Sequence, residues 1–118
     1  MRLDSPAVVL DVPDSDASRA FLTVHLGFRV LAEGEGFSAL GHEDHGLRII
    51  LRPLPPGVTP PGFPGLQIGF LVTGIDGHWA RLTDAVEITE PIATEAAERA
   101  FRVADPNGVG YRLIELVA

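Results

Sequence analysis

Arginine is the residue type of this sequence best suited to ligand chemistry. All nine basic residues are arginines, which GC-rich coding also explains, and a guanidinium presents a planar fork of N–H donors to a carboxylate or phosphate. In the run Leu47-Arg-Ile-Ile-Leu-Arg52, a strand with a period of two places Arg48, Ile50 and Arg52 on one face, and Ile49 and Leu51 under a helix. The two arginines either anchor a ligand anion or pair with this chain's own carboxylates at a strand edge.

Histidines and carboxylates form one further group of potential metal ligands. His42 and His45 flank Glu43 and Asp44 in the segment 41–46. A hairpin turn is exposed and offers little outer support for a metal, so we interpret this segment as a solvated turn. We also expect a solvated surface role for six glutamates in or near turns: Glu33, Glu35, Glu87, Glu90, Glu95 and Glu98.

Composition excludes several classes of function. Without cysteine there is no disulfide framework, thiolate metal site or cysteine nucleophile. Sixteen acidic residues against nine basic ones disfavour nucleic acid as a partner. The sequence shows no Gly-x-Ser-x-Gly motif, phosphate-binding loop or dinucleotide fingerprint. With no signal-like segment and no apolar run long enough to span a bilayer, we expect a soluble cytoplasmic protein with no membrane partner.

A proline-rich segment, 53–64, divides the chain, and the same order of elements is predicted on both sides of it. Before it we predict a strand, a helix and three strands, at Ala7–Val12, Asp16–His25, Phe28–Ala32, Gly36–Leu40 and Leu47–Arg52. After it we predict the same series at Leu66–Val72, Ile75–Leu82, Val86–Thr89, Ala100–Val103 and Tyr111–Val117. The pattern predicts an α+β fold made of two βαβββ modules.

Three motifs carry a family resemblance: Leu26-Gly-Phe28, the segment Arg99–Gly108 that ends in Asp-Pro-Asn-Gly, and Val72–Asp76 leading into His78–Leu82. In this order and spacing, over residues 6–117, the chain resembles the vicinal oxygen chelate superfamily, which includes glyoxalase I, extradiol dioxygenases, and fosfomycin and bleomycin resistance proteins. The resemblance implies a single domain over 1–118, with modules 6–52 and 65–117 joined by 53–64 and curved mixed sheets around a cavity. It also implies a homodimer.

The resemblance places four metal ligands, drawn from His, Glu and Gln, on four strands. The corresponding positions here are Ala7, Ile50, Gln67 and Arg112. Only Gln67 has an oxygen that could bind a metal, because alanine and isoleucine offer no lone pair and a guanidinium is a fixed cation. We therefore expect no metal and no other cofactor. Glu115 would reach the cavity only through a bulge or extra turn residue in the last strand.

These positions predict a binding pocket more readily than a reaction centre. We expect a metal-free protein that binds a small organic molecule, with sequestration of an antibiotic or secondary metabolite as one form of this function. The predicted ligand contacts are Ala7, Arg48, Ile50, Arg52, Gln67 and Arg112, with the arginines as anion anchors and Arg112 as the strongest candidate. The formal net charge of −7 favours a cationic ligand instead.

Two enzymatic alternatives stay open at the level of sequence. One is a metal-dependent lyase, isomerase or dioxygenase whose ligands lie in a different strand register. The other is a metal-free enzyme in which Arg112 polarises a carbonyl group. The second alternative also needs a general base, which the sequence does not identify.

Overall fold

The computed structural model describes residues 1–59 and 67–117. Within them lie two helices and eight strands, in the predicted order. Backbone contacts divide the chain into two compact units, Met1–Gly62 and Phe63–Ala118. The predicted strand start at Leu66, and the prolines at 60, 61 and 64, lie outside the described residues.

The first unit is a four-stranded mixed sheet with one helix. Its elements are β1 (Ala7–Val12), α1 (Ser15–His25), β2 (Arg29–Gly34), β3 (Phe37–His42) and β4 (His45–Pro53). The strand order is β1-β4-β3-β2, with β1 parallel to β4 and the other neighbours antiparallel. The connection from β1 to β4 therefore passes through α1 and the β2–β3 hairpin.

Helix α1 begins where the sequence offers a carboxylate cap. The Ala17 amide donates to Asp14 Oδ1 at 3.1 Å, which satisfies one of the free N–H groups of the first turn. Phe21 and Leu22 on this helix are buried, as are Ile49 and Leu51 on β4. These apolar side chains form the core of the first unit on one side of its sheet.

The second unit repeats this architecture. Its elements are β5 (Ile68–Leu71), α2 (Ile75–Leu82), β6 (Glu87–Glu95), β7 (Glu98–Ala104) and β8 (Gly110–Leu116). The strand order is β5-β8-β7-β6, with β5 parallel to β8. The predicted α+β fold with two βαβββ modules is confirmed.

Strand β6 is longer than the sequence predicts, because it continues through Pro91. It lies at the edge of its sheet, and its pairing with β7 shifts register between Ile88 and Glu90 and again between Glu90 and Ala93. A proline cannot donate to a sheet ladder, but an edge strand with a bulge tolerates that loss. The strand therefore carries Glu90 and Glu95, which the sequence placed in or near turns.

The Asp-Pro-Asn-Gly turn is held by the buried side chain of Asp105. Its Oδ1 atom accepts from the amides of Asn107 at 2.8 Å and Val109 at 3.0 Å, and its Oδ2 atom accepts from the Tyr111 hydroxyl at 3.5 Å. Gly108 has a φ of +83°, which glycine adopts without steric cost. The turn fixes the start of β8, which carries several predicted site residues.

Candidate functional site

The face of the first sheet opposite α1 brings together four predicted site residues. Ala7 is the Cα partner of Arg48, Val9 of Ile50, and Asp11 of Arg52. Because strand side chains alternate, these six residues lie on the face opposite the buried Ile49 and Leu51. Ala39, the partner of Ile50 on β3, extends the same surface, which we call the first open face.

The corresponding surface of the second sheet, the second open face, holds Arg112. Gly69 is the Cα partner of Arg112, and Leu71 is the partner of Ile114. Tyr111 and Leu113 alternate with these residues and are buried. Gln67 immediately precedes β5 and is exposed.

The resemblance assigned two metal-ligand positions to each unit. The two positions are related in the same way in both units. Ile50 lies opposite Val9, two residues after Ala7. Arg112 lies opposite Gly69, two residues after Gln67. The predicted alternation, which placed Val9, Arg48 and Arg52 with Ala7 and Ile50 and placed Gly69 and Ile114 with Arg112, agrees with these pairings.

Arg52 is engaged by a carboxylate of the chain itself. Its Nε and Nη2 atoms donate to the two oxygens of Asp11 at 2.7 and 3.0 Å. This bidentate contact lowers the pKa of Asp11 and raises the pKa of Arg52. Because β1 is an edge strand, Arg52 pairs with one of the chain's own carboxylates at a strand edge. This is the second of the two roles that the sequence left open for Arg48 and Arg52.

Arg112 is held between two carboxylates. Its Nη1 and Nη2 atoms donate to Glu90 and Glu98, each at 2.8 Å. The hydrogen bond to Glu98 is the main reason that the pKa of Arg112 is raised. Glu90 and Glu98 are partly exposed, as the sequence predicts, and Glu98 directly follows a turn. Glu90, however, lies within β6, and both carboxylates form ion pairs with this guanidinium.

Arg48 differs from these two arginines. Within residues 1–59 and 67–117 it forms no ion pair, and its Nη1 atom donates a long hydrogen bond of 3.4 Å to the Leu47 carbonyl oxygen. Its side chain is half-buried. Arg48 therefore presents the guanidinium of the first open face that a ligand anion can reach.

Arg102 is a residue of the second open face that sequence reasoning missed. It is the Cα partner of Arg112, and in the described part of the chain its buried Nε atom has no hydrogen-bond partner. Its guanidinium occupies the space that a side chain at Gly110 would fill, with Nη2 2.4 Å from the ideal Cβ position. Side-chain alternation along β7, combined with the antiparallel pairing of β7 with β8, would have placed Arg102 beside Arg112 on this face.

The residues present do not fit the metal centre that the resemblance implies. In the described part of the chain, no three His, Cys, Asp or Glu side chains are grouped to hold an ion. Glu115 is turned to the other side of β8, where its carboxylate accepts from the amides of Gly74 at 2.9 Å and Ile75 at 3.3 Å. The pairings of β8 continue without a bulge, so Glu115 does not turn toward the open face. Its carboxylate instead caps the N-terminus of α2.

His42 and His45 are more enclosed than the predicted solvated turn. Both rings are half-buried and stack with centroids 4.6 Å apart, and Phe28 presents its ring to each of them. The His42 Nδ1 atom accepts from the Asp44 amide at 3.0 Å. The pair closes the β3–β4 hairpin by packing.

Stability near this hairpin is expected to depend on pH. Burial lowers the pKa of His45; His42 and Arg48 lower it further, while Asp44 opposes them. The unfolded chain then binds the proton more readily, so the free energy of unfolding falls as the pH drops from about 6.5 through the folded-state pKa. Urea unfolding at pH 7 and pH 5 should show a smaller fall in His45→Gln. The control, His78→Gln on α2, should behave as the unmodified protein; an identical fall in both variants would contradict this explanation.

A match to a protein-family model, over most of the chain, identifies the family to which the chain belongs. The model of the Glyoxalase/Bleomycin resistance protein/Dioxygenase superfamily matches residues 5–113. The chain belongs to this superfamily. Among curated proteins, no sequence matches the chain significantly.

Solved structures of similar fold include one described as an antibiotic binding protein and one described as a member of the same superfamily. TnmS3, an antibiotic binding protein from Streptomyces sp. CB03234, has a TM-score of 0.78 and 20% identity, covering 98% of this chain and 97% of its own. TioX from Micromonospora sp. ML1 has a TM-score of 0.75 and 22% identity, covering 96% and 98%. A superfamily member from Sphaerobacter thermophilus DSM 20745 has a TM-score of 0.75 and 22% identity, covering 97% and 98%.

Proposed function

We propose that this protein binds a small organic molecule on its open faces and holds it without a metal ion. The observation that carries this proposal is that each open face leaves aliphatic side chains exposed. Val9 is 50% exposed, Leu71 70% and Leu116 65%, although the opposite side of each sheet is packed. Grouped exposed apolar residues of this kind are typical of surfaces that contact a ligand or another protein.

The similar structures support sequestration as the form of this function. TnmS3 is an antibiotic binding protein and shares the fold over nearly the whole chain. We propose Ala7, Arg48, Ile50 and Arg52 as ligand contacts on the first open face. In the second unit, taken by itself, the proposed contacts are Gln67 and Arg112. A homodimer and a cytoplasmic location remain predictions of the sequence; within the described residues, no helix is long and apolar enough to cross a membrane.

The enzymatic alternatives have less support. A metal-dependent lyase, isomerase or dioxygenase needs a set of donors, but two of the four expected positions are Ala7 and Ile50. An enzyme that polarises a carbonyl through Arg112 needs that guanidinium to be available. Arg112 already donates to Glu90 and Glu98.

A ligand panel tests the proposal. Protein treated with a chelator is heated with aromatic and peptide antibiotics that are anionic, neutral or cationic, and the melting temperature is measured. A ligand at 100 times its dissociation constant adds about 2.7 kcal/mol to the stability of the folded state. We expect at least one compound to raise the melting temperature in the presence of the chelator.

A blocking variant separates binding on the open face from binding elsewhere. Ala7→Phe adds a large ring at an exposed position of the first open face, and should weaken or abolish the shift. Ala85→Phe adds the same ring in an exposed turn, and should preserve the shift. Shifts that disappear with the chelator, or that persist unchanged in Ala7→Phe, would contradict the proposal.

A further inference from the structure

We propose that the ligand is an organic anion and that Arg48 binds its acidic group. This inference rests on the proposed function and specifies the chemistry of its ligand. The class comprises carboxylates, phosphate or sulfate esters and ionised phenols that carry an apolar body. Three features of the first open face lead to it: the charge balance, the space around Arg48, and the apolar surface next to it.

The charge balance among the two arginines and Asp11 leaves one guanidinium in excess. Asp11 is fully engaged by Arg52, whose two N–H groups reach both of its oxygens. Arg48 lies on the same face and, in the described ranges, has no carboxylate within ion-pair distance. A half-buried guanidinium loses part of its hydration, and a bound anion would replace that hydration with charge-assisted hydrogen bonds.

The charged groups near Arg48 do not cancel this excess. Burial is the main reason that the pKa of His45 is lowered, and the nearby positive charge of Arg48 adds a small contribution in the same direction. Asp44 is directed to His42, with 3.7 Å between its Oδ2 atom and Nδ1, and its side chain is 77% exposed. No protein carboxylate among the described residues therefore occupies the position of a ligand anion beside Arg48.

Small residues leave space around this guanidinium. Ala7 is the Cα partner of Arg48 on β1. On the β3 side, the Leu31 side chain and the Arg48 Nη1 atom together fill the position that a Cβ would take at Gly41, so the guanidinium is packed on that side. An acidic group can approach Arg48 over Ala7, since a methyl group is the largest obstruction at that position.

An apolar surface continues from this point along the strands. The next row of the sheet consists of Val9, Ile50 and Ala39, which are consecutive Cα partners. A ligand whose acidic group contacts Arg48 can therefore lay its apolar part on Ile50 and Val9. This arrangement favours an amphiphilic anion over a free inorganic one.

The second open face has a different charge balance. Arg112 is enclosed by Glu90 and Glu98, and Glu90 is also the Cα partner of Arg102. An anion there would compete with two carboxylates already in place. For this reason we assign the acidic group to the first unit and to Arg48.

Three probes that share one aromatic body test the assignment. Dissociation constants for 2-naphthoate, 2-naphthamide and 2-naphthylmethylammonium are measured by isothermal titration calorimetry at constant ionic strength. A charge-assisted hydrogen bond contributes about 1.5 kcal/mol or more, so we expect naphthoate to bind about 10-fold more tightly than the amide. The ammonium probe should bind more weakly than the amide.

Matched variants assign the preference to one residue. Arg48→Gln should reduce naphthoate affinity to the level of the amide, whereas Arg48→Lys should retain part of the preference. Arg2→Gln removes the same charge from an exposed N-terminal residue and should leave all three constants unchanged. Circular dichroism checks that each variant is folded.

The outcomes separate this inference from the proposed function. Equal or tighter binding of the amide or the ammonium probe would overturn the anionic class, while leaving small-molecule binding in place. A naphthoate preference that survives in Arg48→Gln would overturn the role of Arg48. If naphthoate fails to bind at millimolar concentration, the inference is overturned, and the antibiotic panel decides separately whether the proposed function also fails.

Discussion

Replacement of Asp105 by alanine is expected to lower the free energy of unfolding by about 3 kcal/mol. The carboxylate is buried and accepts hydrogen bonds from the amides of Asn107 and Val109 and from the Tyr111 hydroxyl. Alanine removes the acceptor of two part-buried amides and of the buried Tyr111 hydroxyl, and a buried polar group that loses its partner costs about 1–3 kcal/mol. Urea denaturation monitored by circular dichroism measures the change.

Two further variants identify the source of that loss. Asp84→Ala removes an exposed turn carboxylate and should change stability by less than about 0.5 kcal/mol. Asp105→Asn keeps an acceptor oxygen and should fall between the two alanine variants. If Asp105→Ala were as stable as Asp84→Ala, Asp105 would not be the residue that holds the turn.

Truncation of Phe101 should destabilise the protein by about 3–4 kcal/mol. Its side chain is fully buried on β7, and its ring meets Trp79 of α2 edge to face, with centroids 5.2 Å apart. Alanine removes this ring contact between β7 and α2 and leaves a cavity in a densely packed core. Thermal and urea unfolding of Phe101→Ala give the size of the loss.

A phenylalanine at the surface provides the control. Phe37 on β3 is 41% exposed, so Phe37→Ala should cost about 1 kcal/mol or less. Similar losses in the two variants would show that the helix–sheet contact in the second unit contributes little beyond ordinary surface packing.

Local signals explain why much of the fold could be predicted. The predicted bounds of β1 and α2 agree with the structure, because apolar alternation and helical spacing depend on neighbouring residues alone. The Asp-Pro-Asn-Gly turn likewise specifies its own geometry through Asp105 and Gly108. The length of β6 could not be predicted, since Pro91 is tolerated only because the strand lies at an edge with a bulge, and sheet order is not a local property.

Side-chain partners were the part of the site that the sequence did not reveal. Strand alternation placed Arg48, Arg52 and Arg112 on the correct faces, but it could not show which carboxylates they reach. Glu90 and Glu98 are 22 and 14 residues from Arg112 and meet it only through the β6–β7–β8 pairing. The sequence favoured Arg112 as the anion anchor because it does not show these ion pairs. In the structure, Arg48 is the guanidinium that an anion can reach.

The proposed function is the direct binding of a small molecule to an open face, without a metal ion. Its most direct test is a crystal structure of the chelator-treated protein with the compound that gives the largest melting shift, together with metal analysis of the same sample. We expect ligand density against Ala7, Arg48 and Ile50 and less than stoichiometric metal. A ligand bound on the helix-covered side of the sheets, or density bridged to the protein by a stoichiometric metal ion, would contradict it.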